Sequence, residues 1–403
     1  MSLNHGPLTL AIPGPSVMPE RVLRAMHRAS PNIYEGELID LVDGLFPDLK
    51  AVARTQHHVA LYIANGHGAW EASLANTLVA GDRVLVLATG RFGPGWAEMA
   101  EKRGIIVETL DFGMHAAADP QTVEDFLRKP ENADIKAVLT VQADTATSVI
   151  NDIPALREAI TSAGHDALYM VDCIASLGCD RFEMDEWGVD LMVAGCQKGL
   201  MTPPGMAFVY FNDKANEARK RCEPGGYWDW TPRFGGEYFY QKFGGTAPTH
   251  HLYGLREALT MLVHEEGMEN VWARHETIAH AIWDAVDAWG TGQNSGLHHN
   301  IEDRKDRSRA VSTIATGPDD AKRLREWCEN QAGLTLGIGL GFGEPNSNEW
   351  NRRFRIGHMG HQNVPMTMGA LGTIQTALQA LAIPHGSGAL EAAGARLATH
   401  GQG

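Results

Sequence analysis

The chain has 403 residues, 44% hydrophobic and 21% charged, with a formal net charge of −15. That length accommodates a large domain and a smaller one, with enough apolar residues for a sizeable core. So acidic a balance argues against nucleic acid and anionic membrane surfaces as partners, because clustered Lys and Arg bind both. The start of the chain has no basic segment followed by a long apolar run, and no apolar stretch has bilayer-spanning length. The five cysteines are odd in number and scattered, which suits a reducing cytosol, and none forms a C-x-x-C pair. The expectation is a cytoplasmic protein without a metal.

An apolar run, ALYIA, leads into NGHGAW at Asn65–Trp70, a Gly-rich turn opening a helical pattern over Gly68–Leu78. Apolar runs at Val84–Ala88, Ile105–Leu110, Lys136–Val141, Leu168–Asp172 and Leu191–Ala194 predict buried strands, and a sixth follows closely at Met206–Phe211. Helical patterns fall between most of them, at Trp96–Arg103, Thr122–Leu127 and Ile153–Ala163. Such alternation predicts an α/β fold with a mostly parallel sheet and a ligand site at the carboxyl ends of the strands. Residues Glu223–Pro248 have no clear period and read as a long irregular connection near the site. A long helix is expected from His251 to His264, resuming over Val271–Trp289 after a break at Gly267. Strands at Val311–Ala315 and Leu334–Leu336, with a helix over Asp319–Gln331, predict a smaller α+β domain. The chain therefore divides into a large domain, 13–255, and a small one, 256–403, with residues 1–12 packing near the small domain.

Asp190–Gly205, DLMVAGCQKGLMTPPG, holds the most informative residue. Lys198 lies four residues beyond the strand that ends at Ala194, flanked by Gly195 and Gly199. A lysine at the sheet's carboxyl edge can form a Schiff base with an aldehyde cofactor if its amine is kept neutral. A solvated turn lysine has the same local pattern, so the assignment needs partners. Asp172 ends the run ALYMVD and suits a protonated pyridine nitrogen, keeping the ring an effective electron sink. The glycines of NGHGAW let backbone N–H groups face an anion at a helix start. Together, a phosphate cradle, a ring-nitrogen carboxylate and a strand-end lysine describe pyridoxal 5'-phosphate.

On IPGPSVMPERVLRAM, VDCIASLG, DEWGVDLMVAGCQKGLMTPPG, HLYGLREAL and FRIGHMG, the chain resembles the class V aminotransferases of pyridoxal-phosphate fold type I. The likeness is to the branch with serine–glyoxylate and alanine–glyoxylate aminotransferases. It implies a transaminase that moves an amino group from a small amino acid to glyoxylate or another small 2-oxo acid. The resemblance makes Lys198 the cofactor lysine, Gln197 a phosphate ligand and Gly66, His67 and Gly68 the phosphate turn. It places Thr145 against the ring oxygen, Phe92 on the pyridine face and Arg355 on the substrate carboxylate. It also implies a homodimer in which Thr246 reaches the partner subunit's phosphate. Departures bear on the choice of donor. Tyr34-Glu35 stands where many relatives carry His-Arg, which makes Tyr34 a candidate substrate contact. His67 replaces a Ser or Thr, Ser148 replaces a glycine, no tyrosine precedes Thr246, and His298–Arg309 is unusually charged.

Competing readings are weaker. GIGLGFG from Gly337 resembles a dinucleotide fingerprint, but Phe342 stands where its third glycine belongs, and the segment reads better as lining the substrate mouth near Arg355. Cys328, the sulfur a cysteine desulfurase would need, lies inside a helical pattern. A pyridoxamine–pyruvate aminotransferase fits RIGHMG but needs no phosphate cradle, and a cofactor-binding regulator would carry a DNA-binding domain. The histidine pairs at 57–58, 250–251 and 298–299 have adjacent side chains, which point apart on a strand or helix.

Overall fold

The computed structural model describes residues 2–399. Twelve strands in chain order are β1 (Thr9–Ala11), β2 (His58–Tyr62), β3 (Arg83–Ala88), β4 (Ile106–Asp111), β5 (Ile135–Val141), β6 (Leu168–Asp172), β7 (Leu191–Gly195), β8 (Ala207–Phe211), β9 (His298–His299), β10 (Val311–Ala315), β11 (Leu334–Leu336) and β12 (Arg353–Gly357). Seven form the central sheet in the order β2-β8-β7-β6-β5-β3-β4. From β4 to β7 the neighbours are parallel, while β8 runs antiparallel to both β7 and β2. Strands β6, β7 and β8 are buried along their whole length, which is why they read as unbroken apolar runs. Edge strand β4 is half-exposed. Helices Gly66–Thr77, Phe92–Lys102 and Ile153–Ser162 join these strands.

Register places the site. Val141 of β5 is level with Asp172 of β6, and Asp172 is level with Val193 of β7. The segments leaving β5 and β7, which carry Thr145 and Lys198, thus flank Asp172 at one sheet edge. Antiparallel to β8, β2 ends at the same edge and delivers the helix Gly66–Thr77 there.

The expected helix from His251 is α-helical over Thr249–Leu259, widens to π turns over Thr260–Glu266 and resumes as Met268–Gly290 after Gly267, whose φ is +81°. A second apolar cluster, with Ile282, Trp289, Ile314, Phe354 and Leu371, backs the three-stranded sheet β12-β10-β9. The amino-terminal β1 pairs in parallel with β11, Thr9 opposite Leu334. Among the described residues no helix is long and apolar enough to cross a membrane.

Candidate active site

A cavity of about 210 Å³ opens at the carboxyl edge of β5, β6 and β7, lined by Gly66, His67, Phe92, Thr145, Asp172, Gln197 and Lys198, with Asn65, Trp70 and Ile174 among the others. Larger clefts exist elsewhere, but none brings these groups together.

Asp172 is 3% exposed. Its Oδ1 accepts the Ile174 N–H at 2.7 Å, and its Oδ2 accepts the Trp70 indole N–H at 2.8 Å. Burial pushes its pKa up to about 7, and those two donors oppose the rise. A carboxylate balanced in this way needs a further positive or donating partner to stay charged, and a pyridinium N–H supplies one.

Lys198 follows β7 on a tight turn that the amino-terminal segment holds in place. The Ser16 N–H donates to the Gln197 carbonyl at 2.9 Å, and the Ser16 hydroxyl to the Lys198 carbonyl at 2.7 Å. Lys198 Nζ donates to the Pro13 carbonyl at 2.5 Å. A Cβ on Gly14, whose φ is +114°, would lie 2.1 Å from Nζ, so this approach requires glycine. Burial, then the Arg355 charge, lower the Lys198 pKa to about 8. That shift favours the neutral amine which a carbonyl carbon needs as nucleophile.

The helix begins at Gly66, two residues before the pattern suggested, so Gly66, His67 and Gly68 form its first turn. The Asn65 side-chain oxygen caps the N–H groups of His67 (3.1 Å) and Gly68 (3.4 Å). Among the described residues no acceptor meets the Gly66 N–H. Gln197 adds a buried side-chain amide oxygen without a hydrogen-bond partner. Rotated about its last bond, that amide presents its NH2 to an anion. An uncapped first-turn N–H, an unpartnered amide, a buried amine and a buried carboxylate in one cavity fit a phosphate-bearing pyridine aldehyde.

Asp144 ties the two loops beside this cavity together. Its Oδ2 accepts the Phe92 N–H and its Oδ1 the Ala146 N–H, both at 2.8 Å. Gly90 has no room for a Cβ, which would lie 2.4 Å from the Asp144 carboxyl carbon. Ser148 has φ +63°, a left-handed conformation that favours glycine and costs a serine about 1–3 kcal/mol. Hydrogen bonds of Ser148 N–H to the Asp144 carbonyl (2.8 Å) and of Thr313 N–H to Ser148 Oγ (3.2 Å) offset that strain.

Arg355, on β12, is 6% exposed. Its Nε donates to the Ile338 carbonyl at 2.6 Å and its Nη1 to the Thr145 carbonyl at 2.8 Å. These anchors fix the guanidinium plane and leave Nη2 without a partner among the described residues, a donor edge suited to a carboxylate. Burial lowers its pKa to about 10. The Gly337–Phe342 segment lies alongside, bridged to Arg355 through Gly337.

Tyr34 is 84% exposed and does not line this cavity, and Thr246 is exposed as well. The charged insert is a structural clasp: Arg304 pairs with Asp284 and Asp287, while Ser308 Oγ and the Arg309 N–H donate to the buried Asp180. Cys328 is fully buried, its thiol pushed up to about 12, so it is no nucleophile. Among the described residues no cluster of His, Cys, Asp and Glu is placed to hold a metal ion. Sequence reading missed Asn65, Trp70 and Asp144. An Asn before a Gly-rich helix start is a capping signal and was legible, whereas the contacts of Trp70 and Asp144 depend on tertiary register.

Residues 66–341 match the model of the family described as aminotransferase class-V. The chain is 35% identical to a serine–glyoxylate aminotransferase of Methylorubrum extorquens, covering 92% of this chain and 90% of that one. It is 33% identical to an L-aspartate–glyoxylate aminotransferase of Paracoccus denitrificans, with 93% and 91% covered. Its fold superposes on the crystal structure of a ureidoglycine–glyoxylate aminotransferase from Bacillus subtilis with a TM-score of 0.85 at 25% identity, covering 98% of this chain and 99% of that one.

Proposed function

Because the chain belongs to the class V aminotransferases, which are pyridoxal-phosphate enzymes, we propose that it transfers the amino group of a small amino acid such as serine, alanine or aspartate to glyoxylate or a similar 2-oxo acid. The observation that carries this reading is the gathering of Lys198, Asp172, Gln197 and the first turn at Gly66 in one cavity, with the buried Arg355 joined to it through Thr145.

Bound there, pyridoxal phosphate supplies an electron sink for the pair left when an α-proton departs. Gly66, His67, Gly68 and Gln197 would hold the phosphate, and Phe92 would pack against the pyridine. Thr145 would meet the ring oxygen, and Asp172 would accept the ring N–H and so favour its protonated form. Arg355 binds the carboxylate common to donor and acceptor and so orients Cα toward Lys198. Lys198 takes the α-proton at Nζ and holds it for return, as a general base and then an acid.

We assign residues 13–255 to a large cofactor domain and 256–403 to a small one, in a cytoplasmic homodimer. Exposure of Tyr34 and Thr246 supports a place for both at the subunit interface, Thr246 reaching the partner's phosphate and Tyr34 the substrate mouth. A screen of serine, alanine, aspartate and glycine against glyoxylate, pyruvate and 2-oxoglutarate, followed by the change in the cofactor's visible absorbance, tests the reading. Rapid conversion with at least one small donor and glyoxylate is expected. No amino transfer with any pair, in a protein that binds the cofactor, would overturn it.

A further inference from the structure

We propose that Trp70 is a positioning residue for the ring-nitrogen carboxylate: its indole N–H fixes the orientation and charge of Asp172. The inference rests on the reading above, that Asp172 faces the pyridine nitrogen. Trp70 lies one turn into the helix Gly66–Thr77, four residues after Gly66. One rigid element therefore carries both the uncapped Gly66 N–H and the indole that meets Asp172.

Three observations support the assignment. First, the bond is short and dry: the indole reaches Asp172 Oδ2 at 2.8 Å, with Trp70 1% and Asp172 3% exposed. Second, the indole is itself immobilised. It stacks on Trp96 with centroids 6.1 Å apart and planes 13° from parallel, and His67 and Phe92 pack around it at 4.8 and 6.3 Å. Third, the carboxylate's partners divide cleanly. Ile174 N–H takes Oδ1 and Trp70 takes Oδ2, one donor to each oxygen, which leaves acceptor capacity on the carboxylate for a further donor. A phenylalanine there would keep an aromatic ring in the stack but supply no donor, so the N–H is what tryptophan adds for Asp172.

The groups facing Asp172 set its charge. Asp144, from the loop after β5, disfavours ionisation, and Lys198, after β7, favours it. Cys173, the next residue, is buried and neutral because burial holds its thiol far above the ordinary range. The helix contributes the indole. Without its N–H, Oδ2 faces an apolar wall, and the carboxyl holds its proton to higher pH.

The test uses the apo-protein and needs no turnover. The carboxylic-acid band of Asp172, identified by its absence in Asp172→Asn, is followed with pH by difference infrared spectroscopy. Trp70→Phe should move its midpoint up by about one pH unit, the shift expected on losing one donor to a charged group. Trp96→Phe, which alters the same stack but touches no carboxylate, should leave the midpoint in place. Pyridoxal phosphate affinity, measured by equilibrium dialysis over the same pH range, should shift in parallel. An unshifted midpoint in folded Trp70→Phe, or an equal shift in Trp96→Phe, overturns the proposal. If Trp70→Phe does not fold, wild-type protein labelled with 15N at the indoles decides. One indole resonance should titrate with the carboxyl band and lose that titration in Asp172→Asn; no titrating indole overturns the proposal. Failure of the wild type to bind pyridoxal phosphate would instead sink the functional reading beneath it.

Discussion

Replacing Arg355 by lysine separates a positive charge from a planar fork. The guanidinium is held edge-on by two carbonyls, Ile338 and Thr145, at 2.6 and 2.8 Å. A lysine can satisfy at most one of them while reaching a substrate, and it presents a single ammonium in place of a fork. Truncating one partner of a buried charge-assisted pair costs about 2–5 kcal/mol. Because lysine keeps the charge, the lower end of that range applies, and about 2–3 kcal/mol corresponds to a 30- to 150-fold loss. Donor and acceptor carry the same carboxylate, so both half-reactions should fall by similar factors in single-turnover measurements. Cofactor affinity should hold, since Arg355 lies on β12 outside the cavity-lining set. A loss below about threefold, or one confined to a single half-reaction, would refute this carboxylate assignment.

Asp172→Asn should retain pyridoxal phosphate but lose turnover by about 10²-fold or more, the scale on which one charge-stabilising group acts; near-normal turnover would make Asp172 structural. Lys198, with its pKa lowered to about 8, gains its neutral amine as pH rises through that value. Cofactor capture by apo-protein should therefore accelerate with a midpoint near 8 and then level off, and a rate still climbing steeply at the ordinary lysine value of 10.5 would contradict the shift. Asp144→Ala leaves the buried Ala146 N–H and the part-buried Phe92 N–H without acceptors, at about 1–3 kcal/mol for the buried one and less for the other. Urea unfolding should show the loss, and cofactor affinity should fall with it, whereas an unchanged midpoint would mean the two loops hold themselves.

The central sheet was legible because its buried strands are nearly unbroken apolar runs, and Leu168–Asp172 matches the observed span residue for residue, as does Val311–Ala315 in the small sheet. The helix Glu37–Ala53 was not, because Gly44 and Pro47 interrupt its pattern. Pro47 is tolerated within it because burial of Leu45, Leu49 and Val52 on one face outweighs the lost backbone hydrogen bond. The two-residue β9 and the three-residue β1 exist only through long-range pairing, which no local period reveals. Lys198 and Asp172 were readable from strand-end position. Trp70 and Asp144 carry no local signal, since an aromatic on an apolar helix face and an aspartate in a loop are common. The pairing of β2 with β8 brings Trp70 to the site, and the level register of β5, β6 and β7 brings Asp144 and Asp172 there.

Lys198 is the residue on which the proposed chemistry turns. Holoenzyme reduced with borohydride and digested should yield one cofactor-labelled peptide, carrying the label on the lysine of CQKG. Lys198→Ala should bind cofactor without covalent capture and yield no labelled peptide. Label on another lysine, or stoichiometric labelling of folded Lys198→Ala, would contradict the account.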